Sequence, residues 1–171
     1  MTVANKLGAL GVLISDAMEE ALGDLSRSAA ALLLTLRYFP DATATELAAV
    51  AGVAQPTAVR VLDGLVRRGL VDRRARTGRS TPLRLTRAGQ QRALSAQAAR
   101  LQAMERLLAA LPKPERAAFA RAVDRVLFAA ATSRAFARTT CRLCDHGACD
   151  GPRCPIGSRA TELDRNVETR P

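Results

Sequence analysis

Leu7, Leu10, Ile14, Met18, Ala21 and Leu25 recur every three or four residues, the spacing that lines one face of an α-helix. A second helix is expected from about Ser28 to Phe39, stopped by Pro40, and Leu32, Leu33, Leu34 and Leu36 make it apolar nearly all round. A helix with no polar face belongs at the centre of a domain. Thr43 followed by Glu46 forms a capping box, in which two side chains satisfy backbone donors at a helix start. A short helix from Ala44 to Ala51 therefore begins there and closes at Gly52. Pro56 opens the next helix, which runs to Arg68, because a first-turn position has no use for the N–H that proline lacks. Two short helices joined through a tight turn at Gly52 form the pattern of a helix-turn-helix.

After Gly69 the periodicity changes. Leu70-Val71 opens one extended segment and Leu83-Arg84-Leu85 alternates in another, with the turn Thr77-Gly78-Arg79-Ser80 between them. Strand, basic turn and strand directly after a helix-turn-helix make a winged helix. A long helix follows from about Arg87 to Ala110, with Thr86 as N-cap and Leu94, Leu101, Met104, Leu108 and Leu111 as its stripe. Leu111-Pro112-Lys113-Pro114 breaks it, and a last helix runs from Glu115 to about Ala131 with Phe119, Val123, Val126 and Leu127 on one side. The first helix and these two have no sheet to cover. Such stripes mate with a second copy of the chain or pack within one chain. The expected fold is mainly α: a winged helix-turn-helix with a small β-hairpin wing and a helical dimerisation region.

The chain has 171 residues, enough for one domain, and 48% of them are apolar but only 3% aromatic. Its core must be packed from Leu, Val and Ala, a composition that favours helices. Neither a membrane span nor a signal peptide is expected. No apolar run approaches the roughly 18 residues a span needs, and Asp16, Glu19 and Glu20 follow the apolar stretch Leu7 to Ile14. A cytoplasmic location follows from that reading.

Charge sharpens the picture. With 24 Arg and 2 Lys against 16 acidic residues, the formal net charge is +10, which implies an anionic partner. The preference for Arg suits bidentate phosphate contacts, and genome composition would produce it equally well. Between Arg60 and Arg92 stand ten Arg and two Asp, a local net of +8, so most of the excess sits on the second short helix and the wing. On that helix Ala58, Leu62, Leu65 and Val66 form an apolar stripe, and Gln55, Thr57, Arg60, Val61 and Gly64 point away from it. A polar, small and basic face suits a DNA groove, although a solvated helix face has the same composition. His146 is the single histidine, which leaves the chain without the common nucleophile–base pairs, so no enzyme is expected.

All four cysteines fall within one short segment, Cys141-x2-Cys144-x4-Cys149-x4-Cys154-Pro155. Clustering of this kind reads as metal or redox chemistry in a reducing compartment rather than as disulfide staples. Gly147, Gly151 and Pro152 supply turns that let four thiolates converge. One zinc per chain and an iron–sulfur cluster both fit the spacing, as do free thiols acting as a redox switch. His146 stands beside Cys144 as a substitute ligand or as a group behind the ligands. Four thiolates leave no open position on a zinc ion for catalytic water.

The stretches Gly52-Val-Ala-Gln-Pro-Thr57, Leu62-Asp-Gly-Leu-Val-Arg-Arg-Gly-Leu-Val71 and Leu83-Arg-Leu-Thr-Arg-Ala-Gly89 resemble, in order and spacing, the MarR family of bacterial winged-helix transcription factors. The resemblance covers roughly residues 5 to 132. It implies a two-fold dimer with residues 5–25 and 87–132 as the dimerisation region, 26–86 as the DNA-binding domain, and 133–171 as an added tail that carries the cysteines. It places Gln55, Thr57, Ala58 and Arg60 at the base-reading start of the recognition helix. Arg67, Arg73, Arg74, Arg76 and Arg79 complete the expected DNA contacts, with Arg79 in the minor groove. Family wings carry an Asp-Arg pair near the tip. Here Gly78-Arg79 stands in its place on a shorter turn, so the Arg lacks its orienting carboxylate. The implied partners are a pseudo-palindromic operator in double-stranded DNA, a second copy of the chain and a small-molecule effector, with no membrane. The implied activity is transcriptional regulation, most simply repression; the competing class is a metal- or redox-sensing module that acts through protein partners.

Overall fold

The computed structural model of the protein describes residues 2–76, 78, 81–149 and 153–168. Its elements in chain order are α1 (Val3–Leu22), α2 (Arg27–Tyr38), α3 (Ala44–Ala51), α4 (Gln55–Arg67), β1 (Val71–Arg73), β2 (Leu83–Leu85), α5 (Arg87–Leu108), α6 (Lys113–Ala130), α7 (Arg134–Thr140) and α8 (Pro155–Glu168). No described helix is long and apolar enough to cross a membrane.

Side-chain caps set most of the helix starts. Thr2 accepts from the Asn5 N–H, so α1 starts before the apolar stripe does, and Ser26 accepts from Ala29, which starts α2 a residue ahead of the expected Ser28. The capping box is present in full: the Glu46 N–H donates to Thr43 Oγ1, and the Thr43 N–H donates to Glu46 Oε2 at 2.7 Å. Gly52 ends α3 in the left-handed conformation at φ 68°, where a side chain would be strained.

Helix α2 is the hub. Every residue from Ala29 to Leu36 is buried, and α3, α4, α5 and β2 pack around it. Leu47, Leu62, Leu65, Val71 and Leu83 close the core, and Leu25 joins it from the loop after α1. The wing strands pair antiparallel with Val71 opposite Leu85 and Arg73 opposite Leu83. Helix α1 lies along α5, and α6 packs on α8.

Sequence periodicity gives no element after residue 131, yet the structure has two. Helix α7 starts at Ser133, whose side chain accepts from the Phe136 N–H, and α8 starts directly after Cys154. Ala131, Ala137, Ile156 and Ala160 bury one another in a second small core, flanked by Leu127, Cys141 and Cys154.

The start of α5 is pressed onto the end of the helix-turn-helix. Thr86 donates its backbone N–H to the Leu70 carbonyl and its hydroxyl to Gly69 O at 2.6 Å, while Thr86 Oγ1 caps the Gly89 N–H. A Cβ at Gly89 would lie 1.8 Å from Leu70 O, so only glycine permits this approach. Gly89→Ala is therefore expected to force the two segments apart at a cost of about 1–3 kcal/mol, read as a lowered urea midpoint. An unchanged midpoint would show that the junction yields freely.

Candidate nucleic-acid interface and thiol cluster

Helix α4 presents two faces. Ala58, Leu62 and Leu65 are buried against the core, and Val61 and Val66 pack partly against it, so Val61 does not belong to the outward set assigned by periodicity. Gln55, Thr57 and Arg60 are exposed on the other side. Gln55 Nε2 donates to Thr45 Oγ1 at 3.1 Å, which ties the start of α4 to α3 and holds that amide in place.

Ala58 is corrected. The resemblance puts it among the base-reading residues, but it is 0% exposed and serves as a core contact. Its place in the apolar stripe was already legible from the spacing of Leu62 and Leu65.

The arginines divide into two groups. Arg68 and Arg92 both pair with Asp24, Arg73 pairs with Asp63, and Arg84 grips Asp41 through two nitrogens. Asp24 and Asp41 are held below the usual carboxylate range, first by the hydrogen bonds from Arg92 and Arg84 respectively. Among the described residues, no ion pair engages Arg60, Arg67, Arg74, Arg76 or Arg87, so these leave their charge to the surroundings. Arg76 Nε reaches only the Gly78 carbonyl, at 3.0 Å. Arg73, one of the expected DNA contacts, is thus partly neutralised within the fold. Arg79, the expected minor-groove contact, lies outside the described residues, as do Thr77 and Ser80 of the turn.

Between the end of α2, β2 and the start of α5 is a cavity of about 510 Å³ lined by Leu36, Arg37, Tyr38, Arg84, Leu85 and Gln90 among others. Of the two arginines in its wall, Arg84 is held by Asp41 and Arg37 lies over the Tyr38 ring.

The four cysteines are half-buried and gathered. Cys141 is within hydrogen-bonding reach of both Cys144 and Cys154, and Cys149 of Cys154. The thiols form a chain of pairwise contacts, and among the described residues no three such ligands already stand in a closed metal-holding set. Cys144 is the acidic member, drawn down to about 6 by the Cys141 hydrogen bond and then by the Arg100 guanidinium. Cys141 is pushed up by its hydrogen bond to Cys144 and by burial, and burial pushes Cys149 up to about 11. His146 packs its ring on Tyr38, with centroids 4.9 Å apart, and edge-on to Phe39, so its ring is engaged with aromatic neighbours on α2.

This segment lies against the winged helix. Tyr38 donates its hydroxyl to Asp145 at 2.7 Å, Gln97 Nε2 donates to the Leu143 carbonyl, and Leu143 is buried in the main core. Thr139 donates its hydroxyl to the Ala49 carbonyl in the last turn of α3. Sequence reasoning missed Tyr38, Gln97 and Arg100 as partners of the cysteine segment, and Ala49 as the partner of Thr139, because each lies far from the tail along the chain.

A mainly helical chain with a two-stranded wing directly after a short helix pair is a winged helix-turn-helix protein. The sequence profile of the MarR family matches residues 23–79. Over those residues the winged helix-turn-helix of this chain is similar to that family of regulators. Among solved structures, the Mycobacterium tuberculosis MarR family protein Rv2887 in complex with salicylic acid is 29% identical, covering 74% of this chain and 96% of that one, with a TM-score of 0.58. The same protein in complex with DNA is 26% identical over 74% and 98%, with a TM-score of 0.62. The YusO protein from Bacillus subtilis, 23% identical over 75% and 94% with a TM-score of 0.67, shares the fold. No curated protein matches the chain.

The place of Ala58 has a direct test. Ala58→Leu is expected to overpack the core and lower stability by about 1–3 kcal/mol, leaving the DNA sequence preference of the folded fraction unchanged. A change of preference at unchanged stability would return Ala58 to the reading face.

Proposed function

We propose that this chain is a sequence-specific, DNA-binding transcriptional regulator that works in the cytoplasm as a homodimer and represses from a pseudo-palindromic operator. The observation that carries the reading is the basic outer face: Arg60 exposed on α4, with Arg67, Arg74 and Arg76 exposed beside it and in no ion pair among the described residues. The solved complex of the M. tuberculosis relative with DNA supports it. Arg60, with Gln55 and Thr57, reads bases in the major groove; Arg67, Arg74, Arg76 and Arg79 hold phosphates or the minor groove.

Exposed apolar side chains support the dimer. Leu7, Val12 and Leu13 on α1, Leu94 and Leu101 on α5, and Phe119 and Val126 on α6 are all open to solvent in the single chain, and α6 has no buried residue. A soluble helix left in that state needs a partner surface. The effector reading rests on the cavity lined by Leu36, Arg37, Tyr38 and Leu85 and on the salicylic acid complex of the relative, whose ligand is a small organic acid. The thiol cluster is the element through which metal or redox status reaches the DNA-binding module.

Fluorescence anisotropy with the fragment upstream of the chain's own gene tests the reading. Arg60→Ala is expected to weaken binding by roughly 1–3 kcal/mol and relax sequence preference. An equal loss on all sequences would make Arg60 a phosphate contact, and no binding to any promoter fragment at low salt would defeat the proposal. Each phosphate-binding arginine removed should reduce the steepness of log K against log salt by about 0.9. Sedimentation should give a dimer for the full chain, and a monomer that no longer shifts the fragment for Phe119→Asp combined with Val126→Asp.

A further inference from the structure

We infer that Cys141, Cys144, Cys149 and Cys154 bind one zinc-class ion as a mononuclear tetrathiolate, and that this ion clasps the tail onto the back of the helix-turn-helix. The inference deepens the reading of the thiol cluster given above and names its metal chemistry.

Cys141 and Cys154 pack against the same small core, and the Cys144 N–H donates to the Cys141 carbonyl at 2.8 Å, which sets Cys144 on the turn next to them. Sulfurs bound at about 2.3 Å to one tetrahedral ion stand about 3.8 Å apart, in mutual contact. An iron–sulfur cube places irons and sulfides between the thiolates and holds them further from one another. Closing four half-buried thiols of one short segment round a single ion needs no such inserted atoms.

The surroundings fit the negative charge such a site carries. Arg100 faces Cys144 and Asp145, and its buried Nε has no hydrogen-bond partner among the described residues. A buried cation left in that state calls for an anionic neighbour. Four thiolates around a divalent ion, their thiol protons released to solvent, supply a net charge of about −2. Cys154 Sγ also accepts the Gly157 N–H at 3.2 Å in the first turn of α8, and a Cβ on Gly157 would lie 3.2 Å from that sulfur, so the backbone is shaped to cradle it.

The four ligands join elements that are otherwise held by few groups. Cys141 follows α7, whose Thr139 holds the Ala49 carbonyl and sets its methyl where a Cβ on Gly52 would meet it at 3.0 Å. Cys154 opens α8, which packs on α6, the helix whose exposed apolar side chains await a second copy. One ion therefore ties the dimerisation helix, through α8, to the turn that precedes the recognition helix.

The test uses the full chain purified without oxygen. One zinc per chain with no acid-labile sulfide is expected, and replacement by cobalt should give the visible spectrum of a tetrahedral cobalt thiolate. Cys141→Ser and Cys149→Ser should each lose the stoichiometric ion. On chelation of the wild-type protein, amide exchange at 48–53 and 139–149 should rise while α2 stays protected, a readout that needs no DNA. Iron with sulfide would overturn the mononuclear site, and a chain that takes up no metal when zinc is supplied would overturn the site altogether. Unchanged exchange at 48–53 on chelation would overturn the clasp. A chain that holds its zinc but ignores every promoter fragment would sink the regulator reading and leave this one standing.

Discussion

Everything in this fold is arranged around one helix that has no solvent side. Burying Ala29 through Leu36 on every face requires neighbours all round, and the chain supplies them with α3, α4, α5 and the wing. Among the described residues the buried core contains no aromatic side chain and is filled mostly by Leu and Ala. Close approach then becomes the governing demand, met at Ala58 under α4 and at Gly89 over the Leu70 carbonyl. The capping side chains Ser26, Thr43 and Thr86 set where α2, α3 and α5 begin, while α4 starts with Pro56 in its first turn and without a side-chain cap.

Electrostatics works on that frame by subtraction. The fold contributes Asp24, Asp41 and Asp63 as partners for Arg68 and Arg92, Arg84, and Arg73 respectively. Arg60, Arg67, Arg74 and Arg76 keep their charge exposed on α4 and the outer wing. Exposed ion pairs of this type add little stability. Their effect is to shape where the field points, which governs encounter with a polyanion.

Much of this was legible in the sequence. The apolar α2, the capping box at Thr43 and Glu46, the proline that opens α4 and the alternation of Leu83-Arg84-Leu85 are local signals, and local physics decides them. The paired state of Arg73 was hidden because Asp63 sits on a different element, and Ala58 was misassigned when position within a motif was put above its place in the stripe. The tail helices were illegible for another reason: their buried faces are made of Ala137, Ile156 and Ala160, too few and too small to set up a period. The convergence of the cysteines could be read from spacing alone. Their neighbours Tyr38, Gln97 and Arg100 could not, since only the tertiary fold brings them near.

The hydroxyl of Thr139 that holds the Ala49 carbonyl comes from a position 90 residues downstream. During synthesis, the first helix of the reading pair therefore emerges long before the group that completes its last turn. Leu143, four residues further on, enters the main core as well, so the hub itself is complete only once the tail has been made.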